Sequence, residues 1–125
     1  MIVLDASVLI AHLDPRDALH DAAGERLLDA ADQPFGASTI TLAEALVAPL
    51  RSGALRTTQT ALKALEVKEL PLPAGAAERL AALRADTGLK LPDCCVLLAA
   101  EETNGSVLTF DERLAREAAA RGLAS

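Results

Sequence analysis

A chain of 125 residues with a net charge of −6 is long enough to bury one core without disulfide or metal staples, and a single domain over 1–125 is expected. The negative charge has the wrong sign for gripping nucleic acid through a broad basic surface. No apolar run reaches the roughly 18 residues of a bilayer span and Met1 leads straight into Ile2-Val3-Leu4 without a basic leader, so a cytoplasmic protein with no membrane segment is expected. The only cysteines, Cys94 and Cys95, are adjacent and lack the second ligand pair of a zinc site, which fits a reducing compartment. Phe35 and Phe110 are the only aromatics among Phe, Tyr and Trp, so base stacking is largely closed as a route to single-strand binding.

In chain order, Ile2–Leu4 is β-branched and apolar, a buried strand, followed at once by a helical pattern from Ala6 to about Leu13. Leu19, Ala22, Ala23, Leu27 and Ala30 predict a helix over Asp17–Ala31 that ends before Pro34, and Phe35–Ser38 is a short strand. Thr41–Leu50 reads as a helix broken by Gly53, and about Thr57–Glu66 as its partner in a helical hairpin. Val67, Leu70 and Leu72 suggest a strand, then Ala74–Asp86 is helical and stopped by Gly88. Pro92 suits the first turn of a nearly all-apolar helix from Asp93 to about Glu101; Asn104-Gly105 turns the chain into a strand over Ser106–Phe110, and a last helix runs from Asp111 to about Arg121. Strands separated by helices, with no two-residue hairpin, imply an α/β fold with a mainly parallel sheet covered on both faces.

Four acids fall at helix starts. Asp5 and Asp111 each end a strand and suit an N-cap, Thr41-x-x-Glu44 has the form of a capping box, and Asp93 follows Pro92 in a first turn. Capping explains each one singly. In an open parallel sheet, however, residues beyond the carboxyl ends of the strands converge on one crevice. Two carboxylates about 4 Å apart repel by about 4 kcal/mol at a partly exposed site, so such a cluster calls for cations, and hard-oxygen ligands favour magnesium or manganese.

The ordered set Val3-Leu4-Asp5-Ala6-Ser7, Thr41-Leu42-Ala43-Glu44, Leu91-Pro92-Asp93 and Leu108-Thr109-Phe110-Asp111 resembles the acidic signature of PIN domains of the VapC kind. The resemblance spans Ile2 through the last helix. It implies a three-layer α/β/α sandwich and a Mg2+-dependent endoribonuclease, Mn2+ serving as substitute, that leaves 5′-phosphate and 3′-hydroxyl ends. It further implies the toxin half of a toxin–antitoxin pair, held by a cognate VapB-type antitoxin, and a homodimer. By the same carry-over Asp5 and Asp93 are direct metal ligands, Glu44 a ligand or the group that positions water, and Asp111 a ligand through water or to a second ion. Ser7 and Thr109 would orient these carboxylates. Leu114 stands where members often carry an aromatic, and Cys94-Cys95 follow Asp93 where an apolar residue is usual.

Arg51, Arg56 and Lys63 on the predicted hairpin, and Lys90 before Asp93, are candidates for lining an RNA path, although each also suits an ordinary solvated face. The spacing of His12 and His20 suits no ligand pair. Apolar positions on the first helices and between Leu42 and Leu65 serve either as core or as a groove for a partner helix, which in the family is the antitoxin. The rival functions are a non-catalytic PIN-like interaction module and a magnesium-dependent phosphohydrolase. An aspartyl-nucleophile phosphatase needs a second Asp two residues after the first, where Ser7 stands.

Overall fold

Ile2–Leu4, Phe35–Ser38, Lys68–Leu70 and Ser106–Leu108 form strands β1 to β4 in the computed structural model, which describes residues 1–125. Helices α1 (Ala6–Leu13) and α2 (His20–Asp29) join β1 to β2. Helices α3 (Thr39–Ser52) and α4 (Leu55–Ala64) join β2 to β3, α5 (Ala76–Thr87) and α6 (Leu91–Thr103) join β3 to β4, and α7 (Glu112–Ala120) follows. The sheet order is β3-β2-β1-β4 and every pairing is parallel.

The two-residue period of β1 divides the core. Val3, with Val107 of β4, faces Leu83, Leu97 and Leu114 of α5, α6 and α7. Ile2 and Leu4, with Phe35 and Leu108, face Val8, Leu9, Ala23 and Leu27 of α1 and α2. Both faces are therefore covered, giving the three-layer α/β/α sandwich, and this is why β1 is apolar at every position rather than alternating. Helix α6 is buried continuously from Cys94 to Ala100 because the sheet, α5 and α3 all pack around it. The connection leaving β1 runs over one face and the connection reaching β4 over the other, so the carboxyl ends of these neighbouring strands border a crevice.

Several boundaries differ from the sequence expectation, for local reasons. The helix expected from Asp17 begins at His20, because the Asp17 carboxylate accepts the Leu19 N–H (2.8 Å) in a turn. The helix expected from Thr41 begins at Thr39, with Ser38 as its cap. Thr41 is thus inside the helix, its hydroxyl buried without a partner, and the Thr41–Glu44 capping box does not form. β3 stops at Leu70, leaving Leu72 exposed, and β4 stops at Leu108 rather than Phe110, where the backbone turns to bond side chains of the site. Gly105 opens β4 against the start of β1: a Cβ there would lie 2.6 Å from the Met1 carbonyl oxygen.

Candidate active site

Asp5 leaves the carboxyl end of β1 and is 4% exposed. Its Oδ1 caps α1 by accepting the Val8 N–H (3.1 Å) and also accepts the Ser7 hydroxyl (2.7 Å), while Oδ2 accepts the hydroxyl of Thr109. Each of those hydroxyls has a second task. Ser7 Oγ accepts the Phe110 N–H (3.1 Å), and Thr109 Oγ1 accepts the Asp111 N–H (2.9 Å). Asp111 in turn caps α7 through the Leu114 N–H (2.9 Å). One hydrogen-bonded network therefore ties the β1–α1 corner to the β4–α7 corner, and the capping geometry and the convergence of acids are the same structure.

Asp93 is half-buried in the first turn of α6, and Glu44 is exposed in the second turn of α3. Burial pushes the Asp5 carboxyl above its ordinary range; hydrogen bonds from Thr109, Ser7 and Val8 pull it back, and the charge of Asp111 adds to the rise. Glu44 is raised by burial and then by the charges of Asp93 and Asp5. Asp93 is raised by burial and then by Asp111 and Asp5, against the opposing charges of Lys90 and Arg113. Asp5, Asp93 and Asp111 are thus within one another's fields at one edge of the sheet, and Glu44 is within those of Asp5 and Asp93.

The donor set suits a hard cation. Every charged donor is a carboxylate oxygen, and the hydrogen bonds to the four acids fall on Asp5 and Asp111, leaving Glu44 and Asp93 without a partner. No three acids close on a common point. Such an open arrangement fits an ion that takes one or two carboxylates directly and keeps much of its water, which is the habit of magnesium.

From Glu44 a groove of about 360 Å³ runs between α1 and the α3–α4 pair, lined by Ile10, Leu13, Ala48 and Pro49 and, at its far end, by the Asp14–Arg16 ion pair. Arg51, Arg56 and Lys63 are exposed, and none of them lines this groove. Lys90 is exposed at the N-cap of α6, three residues before Asp93. Arg113, whose charge also reaches Asp93, was not signalled by the sequence, since a lone exposed Arg on a helix carries no pattern. The turn between α1 and α2 stacks His12 on His20 with ring centroids 6.3 Å apart, a face-to-face contact rather than a convergent ligand pair. Cys94 and Cys95 are buried, and burial pushes both thiols up. Arg26 lies over the Phe110 ring, 5.7 Å from its centroid, so one face of that aromatic is already covered.

The fold and this edge define a wholly parallel α/β/α protein with an open carboxylate centre beyond β1 and β4. The model of the PIN domain matches residues 2–120, and the chain belongs to the PIN-domain family. No curated protein matches the sequence. Among solved structures it is similar to a toxin–antitoxin complex from Klebsiella pneumoniae, with a TM-score of 0.75 and 26% identity over 89% of this chain and 87% of that one. The sarcin-ricin loop cleaving toxin VapC20 of Mycobacterium tuberculosis shares the fold at TM-score 0.75 and 18% identity, over 98% of this chain and 96% of that one. VapBC2 of Rickettsia felis, bound to a DNA fragment from its promoter, shares it at TM-score 0.71 and 18% identity, over 93% and 92% of the two chains.

Proposed function

We propose that the chain is a single PIN-like nuclease domain, a metal-dependent endoribonuclease acting as the toxin of a toxin–antitoxin pair in the cytoplasm. Its products carry 5′-phosphate and 3′-hydroxyl ends. The observation that carries this function is the coupling of Asp5, Glu44, Asp93 and Asp111 at one sheet edge, four acids whose mutual repulsion serves no structural purpose in Glu44 and Asp93. Family membership and the likeness to toxin and toxin–antitoxin structures support it.

Asp5 and Asp93 would hold Mg2+, or Mn2+ in its place, with Glu44 a further ligand or the group that positions and deprotonates water, and Asp111 joining through water or at a second ion. When bound, such an ion would supply a lowered pKa for water and charge neutralisation at the departing oxygen. The chain's own contribution is orientation: Ser7 and Thr109 fix both oxygens of Asp5, while Glu44, unbonded and with a raised pKa, would take a proton from attacking water. The mixed apolar and charged groove beside Glu44 would receive a segment of the antitoxin, the partner proposed for this site. A homodimer is proposed on the family's habit.

The deciding experiment incubates purified, antitoxin-free protein with total bacterial RNA in magnesium or manganese, beside EDTA and an Asp93→Asn variant, and maps new RNA ends. Discrete cuts that vanish in both controls are expected. Uncut RNA, together with no metal-induced change in melting, would leave the non-catalytic interaction module as the better account.

A further inference from the structure

The acidic edge must admit a substrate that is itself anionic, so the cations nearest to it decide how a phosphate chain can lie there. Most arginines of the chain are engaged elsewhere. Arg79 and Arg121 are paired with acids on α5 and α6, Arg84 donates to the Leu89 carbonyl (2.8 Å), Arg16 pairs with Asp14, and Arg26 covers Phe110. Arg113 is different. It is exposed, forms no ion pair, and stands on the first turn of α7, two residues beyond Asp111.

Its guanidinium lies over the bare backbone of Gly88: Nη2 is 3.6 Å from where a Cβ on that residue would sit. Gly88 is the left-handed cap of α5 (φ +73°) and opens the three-residue link to α6 that carries Lys90. That link is held rigid, because Leu89 is buried, its carbonyl receives Arg84 and its N–H donates to Thr87 Oγ1 (3.1 Å). Arg113 and Lys90 thus flank Asp93 from two different elements, next to the amino-terminal ends of α6 and α7, whose free N–H groups add partial positive charge.

We propose that Arg113, with Lys90 beside it, is a phosphate-binding residue that grips the RNA backbone on the α6–α7 side of the acidic edge. This role rests on the nuclease function proposed above. Arginine suits it better than lysine, since a planar fork meets two phosphate oxygens at once. The opposite end of the edge, at Glu44, opens on a groove whose one cation, Arg16, is paired with Asp14, so the unpaired positive charge lies on the α6–α7 side and fixes which flank of the RNA is held by charge.

Backbone contacts are independent of base sequence, so a short fluorescein-labelled single-stranded RNA is a sufficient probe. Its affinity is measured by fluorescence anisotropy in magnesium across a salt series, with RNA integrity checked on a gel, for the wild type, Arg113→Ala, Arg113→Lys and Arg116→Ala. Arg116 is exposed on the same helix, so its loss changes net charge equally. Arg113→Ala is expected to weaken binding about tenfold, the scale of one lost charged hydrogen-bonding contact, and to reduce the log–log salt slope by about one. Arg113→Lys keeps the salt slope and recovers part of the affinity, and Arg116→Ala matches the wild type. Equal effects of Arg113→Ala and Arg116→Ala, with the wild type binding RNA and cutting it, would overturn the role of Arg113 and leave the nuclease standing. Failure of the wild type both to bind and to cut RNA would remove the nuclease and this role together.

Discussion

Replacing Thr109 by Val removes one oxygen from a buried side chain without changing its shape. That oxygen donates to Asp5 Oδ2 and accepts the Asp111 N–H, so its loss strips a carboxylate of one donor and leaves a part-buried N–H without an acceptor. A bond to a charged group plus an unmet donor costs about 2 kcal/mol. A chain of this length has an unfolding entropy of roughly 0.26 kcal/mol/K, so the melting temperature should fall by about 8 °C. Losing the Thr109 bond also pushes the Asp5 carboxyl further up, so under the proposed metal-dependent function the rise in melting temperature expected from magnesium at neutral pH should shrink. Thr109→Ser separates the two effects. It keeps the hydroxyl while giving up a buried methyl, so it should lose about 1 kcal/mol of stability yet retain the magnesium response. Thermal melting by circular dichroism, with and without magnesium, reads both. A Val variant that melts within about 2 °C of the wild type, about 0.5 kcal/mol, would refute the assignment of Thr109 as a structural bridge.

Asp93 has a folded-state pKa above its ordinary 3.8, so in metal-free protein its ionisation opposes folding. The cost is absent below the ordinary value and complete above the raised one. Urea midpoints in EDTA should therefore show Asp93→Asn level with the wild type in acid and increasingly more stable as pH rises; a gap independent of pH would contradict the repulsion. Gly105→Ala should cost about 2 kcal/mol in urea denaturation, because its Cβ would meet the Met1 carbonyl at 2.6 Å and force β1 and β4 apart; near-neutral stability would show that this junction yields. Cys94 and Cys95, buried and with raised pKa values, should resist iodoacetamide in the native protein and react fully in urea. Fast native alkylation would mean that α6 opens readily.

What could be read from the sequence was whatever depends on neighbours along the chain. Each strand lay within or close to its expected segment, and Pro92, Gly53 and Gly88 marked helix ends because their backbone preferences act locally. The start of α3 was misplaced because two hydroxyl residues compete there. Ser38 caps the helix while Thr41, three residues on, only looks as though it does. The order of the four acids was visible, but their mutual electrostatic coupling depends on β1 lying beside β4, a pairing between segments about a hundred residues apart. The stacking of His12 on His20 depends on the turn that follows Pro15, and the position of Arg113 on the packing of α7 over the end of α5. An exposed arginine becomes informative only once the residues around it are known.

The double duty of Asp5 bears on how an inactive protein should be made. Asp5 caps α1 and anchors the hydroxyls of Ser7 and Thr109, so replacing it damages scaffold and chemistry at once, and a dead variant could simply be a badly folded one. Glu44 and Asp93 bond to no other side chain or backbone group, so their amide variants remove charge from an otherwise undisturbed frame. Under the proposed nuclease function, those are the positions to choose for an inactive form meant to capture a bound RNA or an inhibitory partner, and Asp5 is the one to leave alone.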